Sequence, residues 1–330
     1  MDIRKADLLS GDGEGLYHLL TQVYPEDRSL SLDSVIEFLK VLTGTAYNHH
    51  WVAQRGRQIV GRLSISEPWF SASKSTLIAF LEVHPLCRKM GLGQTLLSKA
   101  IDAVQGRGFQ SISLKVNDGD PDAVRFVTNR GLTPILTLTQ SQFELTEDAR
   151  THLHGTARRL EGSTGIRFLD GEELAGEYPA NWQEKWWRLQ QTVSRDIPSP
   201  EPWEDKPLDY FVSSFLERGS IQPALWQFAI DDGQLVGLSG LRVSPSLPSV
   251  AHVGLTGVVR THRRRQLARA LKSISAARAY KYGVRTIVTE NEEQNPMLKL
   301  NLDLGFRVTH TESIYRGPLA GISSRPSKRL

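Results

Sequence analysis

Val83-His84-Pro85-Leu86-Cys87-Arg88-Lys89-Met90-Gly91-Leu92-Gly93 and Val258-Val259-Arg260-Thr261-His262-Arg263-Arg264-Arg265-Gln266-Leu267-Ala268 share one plan. In each, a valine stands five residues before an arginine, a short basic or glycine-containing turn follows, and an apolar-periodic segment begins. The arginines lie 175 residues apart, and the match extends outward. Asn117 pairs with Asn291 and Gly131-Leu132 with Gly305-Phe306 at an offset of 174, and Ile3-Arg4 and Ile166-Arg167 read as equivalent first strands. A near-constant offset over this length is the mark of a duplicated unit. The reading is therefore two domains, residues 1–160 and 161–330. The join is expected in Gly155 to Gly165, where His152, His154, Gly155, Gly162, Ser163 and Gly165 cluster without an apolar period.

Periodicity places the turns in their setting. In the first copy, helical spacing marks Gly13 to Val23 and Leu32 to Leu42, and a hairpin is expected from Trp51 to Gln54 and Ile59 to Ser66. A strand Thr76 to Val83 leads into the turn. Leu92, Leu96, Leu97, Ile101 and Val104 form one helix face, ended by Gly106 and Gly108. A strand Ser111 to Val116, a helix Pro121 to Arg130 and a strand pair between Ile135 and Leu145 complete the copy. The second copy repeats the order: helices Glu172 to Gln190 and Leu208 to Glu217, strands Leu225 to Ile230, Leu235 to Val243 and Val250 to Val259, helix Leu267 to Tyr282, strand Thr286 to Val288, helix Pro296 to Leu304, and a terminal strand through Ile314. The proline-rich Ile197 to Pro202 and Pro207 read as a connector or the border of a cleft.

Composition narrows the function classes. The chain has 330 residues, 39% hydrophobic and 23% charged, enough for two ordinary domain cores. A single cysteine, Cys87, precludes an internal disulfide, and the N-terminal residues lack the apolar run of a secretory signal, so a cytoplasmic protein is expected. No apolar stretch approaches the roughly 20 residues a membrane helix needs. Basic and acidic residues number 18 and 17 up to residue 160, and 22 and 19 beyond it. That balance argues against nucleic acid as a partner. The tail from Arg325 to Arg329 reads as a solvated terminus. His49, His50, His152 and His154 lack the spacing of a metal site, and none is expected.

A strand that ends in a short turn directly before a helix gathers anion-binding groups, because the first helical amides and the positive end of the macrodipole face into the turn. Gly91 and Gly93 let the backbone approach phosphate oxygens. Arg88-Lys89-Met90-Gly91-Leu92-Gly93, with Asp122-Ala123 to Gly131-Leu132 downstream, resembles the acetyl-CoA loop and late helix of the GCN5-related N-acetyltransferase (GNAT) family. The second copy resembles a branch of that family through Thr256-Gly257-Val258, Asn295, Met297, Asn301 and Leu304-Gly305-Phe306, with Arg264 and Gln266 where small residues are usual. The resemblance covers nearly the whole chain. It implies an α/β protein of two tandem acyl-CoA N-acyltransferase domains, each with a mixed sheet splayed between its fourth and fifth strands. It also implies acetyl-CoA as cosubstrate, held by Val83, Arg88, Lys89, Met90, Gly91, Leu92 and Gly93 in one copy. In the other the holders are Val258, Arg263, Arg264, Arg265, Gln266, Leu267, Ala268 and Asn295.

The implied reaction is acetyl transfer to the primary amine of a small molecule or peptide, in a chain whose two copies imitate a dimer and which is expected to be a monomer. Many family members protonate the departing thiolate with a tyrosine four residues before the late glycine. Here those positions are Val127 and Asn301, which implies a displaced donor, and which suits the alternative of a non-catalytic acyl-CoA-binding scaffold. Some members carry a glutamate base on the fourth strand, six residues before the loop valine. That position is Leu77 in the first copy and His252 in the second. An imidazole accepts protons near neutrality, so His252 is a candidate base, as is Glu82, the one carboxylate on the first copy's fourth strand. Trp182, Trp186, Trp187, Trp203 and Trp226 are expected to pack in the core or at a domain interface, with an aromatic wall for a substrate as the alternative, and Cys87 is expected to have no role.

Overall fold

The computed structural model describes residues 2–7, 11–25, 27, 30–73 and 75–322; the basic run from Arg325 to Arg329 lies outside them. The elements are β1 (Asp2–Lys5), α1 (Gly13–Val23), α2 (Leu32–Thr43), β2 (Asn48–Arg55), β3 (Gln58–Ser66), β4 (Thr76–Val83), α3 (Leu92–Val104), β5 (Ser111–Asn117), α4 (Pro121–Thr128) and β6 (Thr133–Glu144). They continue with α5 (Glu147–Thr164), β7 (Arg167–Asp170), α6 (Gly171–Glu177), α7 (Trp182–Ser194), α8 (Leu208–Phe211), β8 (Ile221–Asp231), β9 (Gln234–Val243), β10 (Val250–Val258), α9 (Leu267–Lys281), β11 (Thr286–Glu292), α10 (Pro296–Asp303) and β12 (Arg307–Pro318). This is the α/β architecture, duplicated, that the repeat implied.

The chain forms two compact units whose composition differs from a division at residue 160. Unit 1 is Met1–Leu138, Ser199–Pro202 and His310–Leu330; unit 2 is Thr139–Pro198 and Trp203–Thr309. Within unit 1 the strands run β1-β2-β3-β4-β5-β12, and β12 pairs antiparallel with β5 from Glu312↔Asn117 to Pro318↔Ser111. Within unit 2 the order is β6-β11-β10-β9-β8-β7, with β6 belonging to this unit from Thr139 onward. Each copy's closing strand therefore completes the sheet of the other copy. The segment expected as a linker is helical. Thr146 caps α5 by accepting from the Ala149 amide, and Leu153 and Ala157 are buried. The glycines at 155 and 162 have open space beside them and are tolerated on the exposed side.

Three further expectations are corrected. The strand pair expected before Leu145 is one long strand, β6. The helix expected from Glu172 to Gln190 breaks between α6 and α7, where Pro179 offers no amide and forces Tyr178 (φ −123°, ψ 55°) out of helical geometry. The helix expected from Leu208 to Glu217 shortens to α8 followed by one wide turn, Val212–Leu216.

Unit 1 packs α3 on one face of its sheet through Leu92, Leu96 and Leu97 against Leu63, Leu77, Ala79 and Ile112, all buried, and α1 supplies a second cluster with Leu16, Leu19 and Val52. In unit 2 Trp186 and Trp226 are core, with Trp182 and Trp187 partly buried against them, while Trp203 is only half-buried. Trp186 and Trp226 are fully buried with ring centroids 5.1 Å apart. A Cβ on Gly240 or Gly254 would fall 2.0 or 2.7 Å from the Trp226 ring, so both strand glycines exist to admit it.

Candidate functional site

The two turns before α3 and α9 have one backbone shape. Lys89 and Gly91 take φ of 62° and 78°, Arg264 and Gln266 of 61° and 61°. Alternating left-handed residues turn successive amides toward one point, a concavity suited to an anion. The Gly91 carbonyl already accepts from Thr95 and the Gln266 carbonyl from Ala270. Among the described residues the amides from Lys89 to Gln94, and those of Arg264 and of Gln266 to Arg269, have no protein partner. Both turns face solvent. For a non-glycine residue the left-handed conformation costs about 1–2 kcal/mol, so Gln266 holds the glycine's geometry at an energetic cost. Sequence alone gave no sign that it would.

The arginines brace these turns. Arg88 Nε donates to the Val83 carbonyl (3.1 Å) and Nη1 to Asp120 (3.1 Å). Arg263 Nε donates to the Val258 carbonyl (3.0 Å), and its other end pairs with Asp196, which Arg260 also meets at 2.6 Å. Lys89 reaches Asp122 at 3.0 Å. Met90 is exposed, Leu92 and Leu267 anchor their helices in the cores, and Gly93 lies against Phe126, where a Cβ would sit at 3.5 Å. Ala268 is half-buried. Asn295 caps α10 by accepting from the Met297 amide (2.9 Å), as Asp120 caps α4.

Beyond each turn the sheet opens. Parallel pairing of β4 with β5 stops at Ala79↔Leu114 although the strands continue to Val83 and Asn117. In unit 2 pairing stops at His252↔Val288, with β10 and β11 continuing to Val258 and Glu292. Each gap leads from a turn of unpaired amides into the sheet.

A family model described as acetyltransferase (GNAT) family matches residues 14–132 and again 180–306. The chain belongs to the GNAT family. A mycothiol acetyltransferase of Sanguibacter keddieii is 24% identical over 307 residues, 89% of either chain. Two solved structures share the fold along 96% of this chain. A GCN5-related N-acetyltransferase from Sphaerobacter thermophilus has 18% identity and a TM-score of 0.70, with 95% of it covered. A tandem GNAT protein from the clavulanic acid biosynthesis pathway has 19% identity and a TM-score of 0.71, with 98% covered. No described helix is long and apolar enough to cross a membrane.

In the GNAT frame of unit 1, Glu82 is buried and bound bidentately by Arg62, both contacts at 2.8 Å, with side chains 6% and 3% exposed. A carboxylate so paired is held in place. It shares its sheet face with Phe80, which meets Phe38 edge-on at 5.0 Å. On this face His50, Ser64, Ser66 and Arg62 Nη1 are buried without a hydrogen-bond partner among the described residues, a costly concentration of orphans for a protein interior. Tyr24, at the end of α1, was not foreseen. Burial of its hydroxyl, and next the Glu82 carboxylate, push its pKa up. Val127 is buried core.

In unit 2, His252 occupies the last ladder position before the gap, opposite Arg242 on β9. It stands at the foot of the gap rather than inside it. Asn301 is fully buried and donates to Asn291 Oδ1 (2.6 Å), while its own Oδ1 has no partner. No group of three or more His, Cys, Asp or Glu side chains among the described residues is arranged to hold a metal ion. Cys87 is buried.

The orphaned imidazole carries a testable pH dependence. Burial, then the Arg62 charge, lower the His50 pKa from 6.5 to about 4. The unfolded chain therefore binds this proton first. Stability is full above pH 6.5 and falls by on the order of 3 kcal/mol as pH drops toward 4. In urea titrations across that window, His50→Leu should flatten the slope by this amount; an unchanged slope would show that His50 protonates freely in the folded state.

Proposed function

We propose that each unit binds acetyl-CoA and that the protein transfers the acetyl group to the primary amine of a polar acceptor. The observation that carries this reading is the pair of left-handed turns whose unpaired amides stand at the mouth of a splayed sheet. The diphosphate would accept from those amides, and the pantetheine arm would enter the gap. Both the family and the length-wide match to a protein named mycothiol acetyltransferase support acetyl transfer.

Bound acetyl-CoA supplies the thioester carbonyl. The chain must accept a proton from the ammonium acceptor and steady the departing thiolate. His252 is the proposed base of unit 2, because it stands at the foot of the gap and an imidazole accepts a proton near neutrality. In unit 1, Glu82 fixed by Arg62 would orient the amine, and Tyr24 would donate a hydrogen bond while keeping its proton. The orphan donors of His50, Arg62, Ser64 and Ser66 favour an acceptor rich in hydroxyl or carbonyl groups.

Calorimetry with acetyl-CoA should give two sites per chain, and a thiol-release assay over a panel of polar amines should show turnover. Binding without turnover on any amine would leave the scaffold role. Absence of binding would refute the assignment.

A further inference from the structure

Lys272 is a lysine in a core position. It is 7% exposed, its counterpart at the 175-residue offset is the buried Leu97, and it lies on the face of α9 that packs on the sheet. The fold thus takes an apolar side chain here, and Lys272 adds a charge. That charge has no carboxylate, carbonyl or hydroxyl partner among the described residues; its one recorded contact is the Phe306 ring, whose centroid lies 5.7 Å from Nζ. Burial lowers its pKa to about 8, still on the charged side of neutrality. An ammonium on a side chain this buried, with no anion beside it, is costly, and a ring face at that distance offsets little of the cost.

Lys272 lines a cavity with Val253, Ser275, Ile287, Leu304 and Phe306. The space open to the centre of a water-sized sphere is about 20 Å³, enough for a water or a monatomic ion. Ile287 pairs with Ala251 and Val253 is the first residue past the last β10–β11 pair, so the cavity sits at the foot of the unit 2 gap.

We propose that Lys272 forms an anion site that takes a small monovalent anion or a single carboxylate. The occupant is either a free halide or, on the acetyl-CoA reading above, the carboxylate terminus of an acyl group in the gap. Melting of the full chain in sodium chloride against sodium gluconate at equal ionic strength separates the site from general screening. The unit 2 transition should rise by about 3 °C or more in chloride, and Lys272→Met, which restores the apolar side chain of Leu97, should abolish the rise. A crystal grown in bromide should show the ion beside Nζ, a readout that needs no variant. Succinyl-CoA against acetyl-CoA, measured in a Gly91→Glu background, identifies the source. At least tenfold tighter succinyl-CoA binding that Lys272→Met removes assigns the acyl carboxylate, and equal affinities with a persisting chloride effect assign the free ion. No chloride response, no bromide and no succinyl preference would overturn the proposal; a chloride response without any CoA binding would overturn only the acetyl-CoA reading of this unit.

Discussion

Deletion of residues 310–330 is expected to unfold unit 1 and to spare unit 2, although by sequence the deleted strand closes the second copy. The deletion removes the whole β5–β12 ladder and, from the unit 1 core, Tyr315, Leu319 and Ile322, each under 10% exposed. Three such side chains contribute about 1.5–3 kcal/mol apiece, which consumes most of a typical net stability of about 5–15 kcal/mol. It also leaves Ser113 and Arg316 parted, and Glu201, the buried partner of Arg316, unpaired. Hydrogen exchange should lose protection from β1 to β5 and retain it from β7 to β11. Protection lost from β7 to β11 instead would mean that the closing strands stay with their own copies.

Gly91→Glu should weaken acetyl-CoA binding to unit 1 at least 100-fold and leave unit 2 untouched. No heavy atom lies within 4 Å of a Cβ built on Gly91, so the side chain has room. Two costs act together. The backbone at φ 78° charges a non-glycine residue about 1–2 kcal/mol, and a carboxylate near 4 Å from a phosphate charge is repelled by about 4 kcal/mol at an effective dielectric of 20. Gln266→Glu in unit 2 isolates the second cost, because Gln266 already holds φ 61° as an L-residue. Gly91→Ala isolates the first. Unchanged calorimetric affinity and stoichiometry in both glutamate variants would remove the turns as diphosphate sites.

The elements around each turn were legible because they rest on local chemistry: the Leu92, Leu96, Leu97 spacing, the Gly106 and Gly108 stops, and the Pro121 and Pro296 helix starts. The glycine-poor α5 face was not, since Leu153 and Ala157 become a buried stripe only against α9. The paired state of Glu82 was equally hidden, because Arg62 lies twenty residues away and reaches it only through the β3–β4 register.

From sequence alone came the duplication, most of the strands and helices in their order, and the two turns as candidate anion sites, since each rests on residues close together in the chain. Tertiary structure alone decided which sheet β6 and β12 complete, that Gln266 adopts a glycine's conformation, that Arg88 and Arg263 brace rather than project, and that Lys272 is left without a counter-charge. The reason is physical: equivalent closing strands satisfy either sheet edge equally well by pattern, and the choice of partner, like the burial of a charge, is an energy of contacts between residues that only the folded chain brings together.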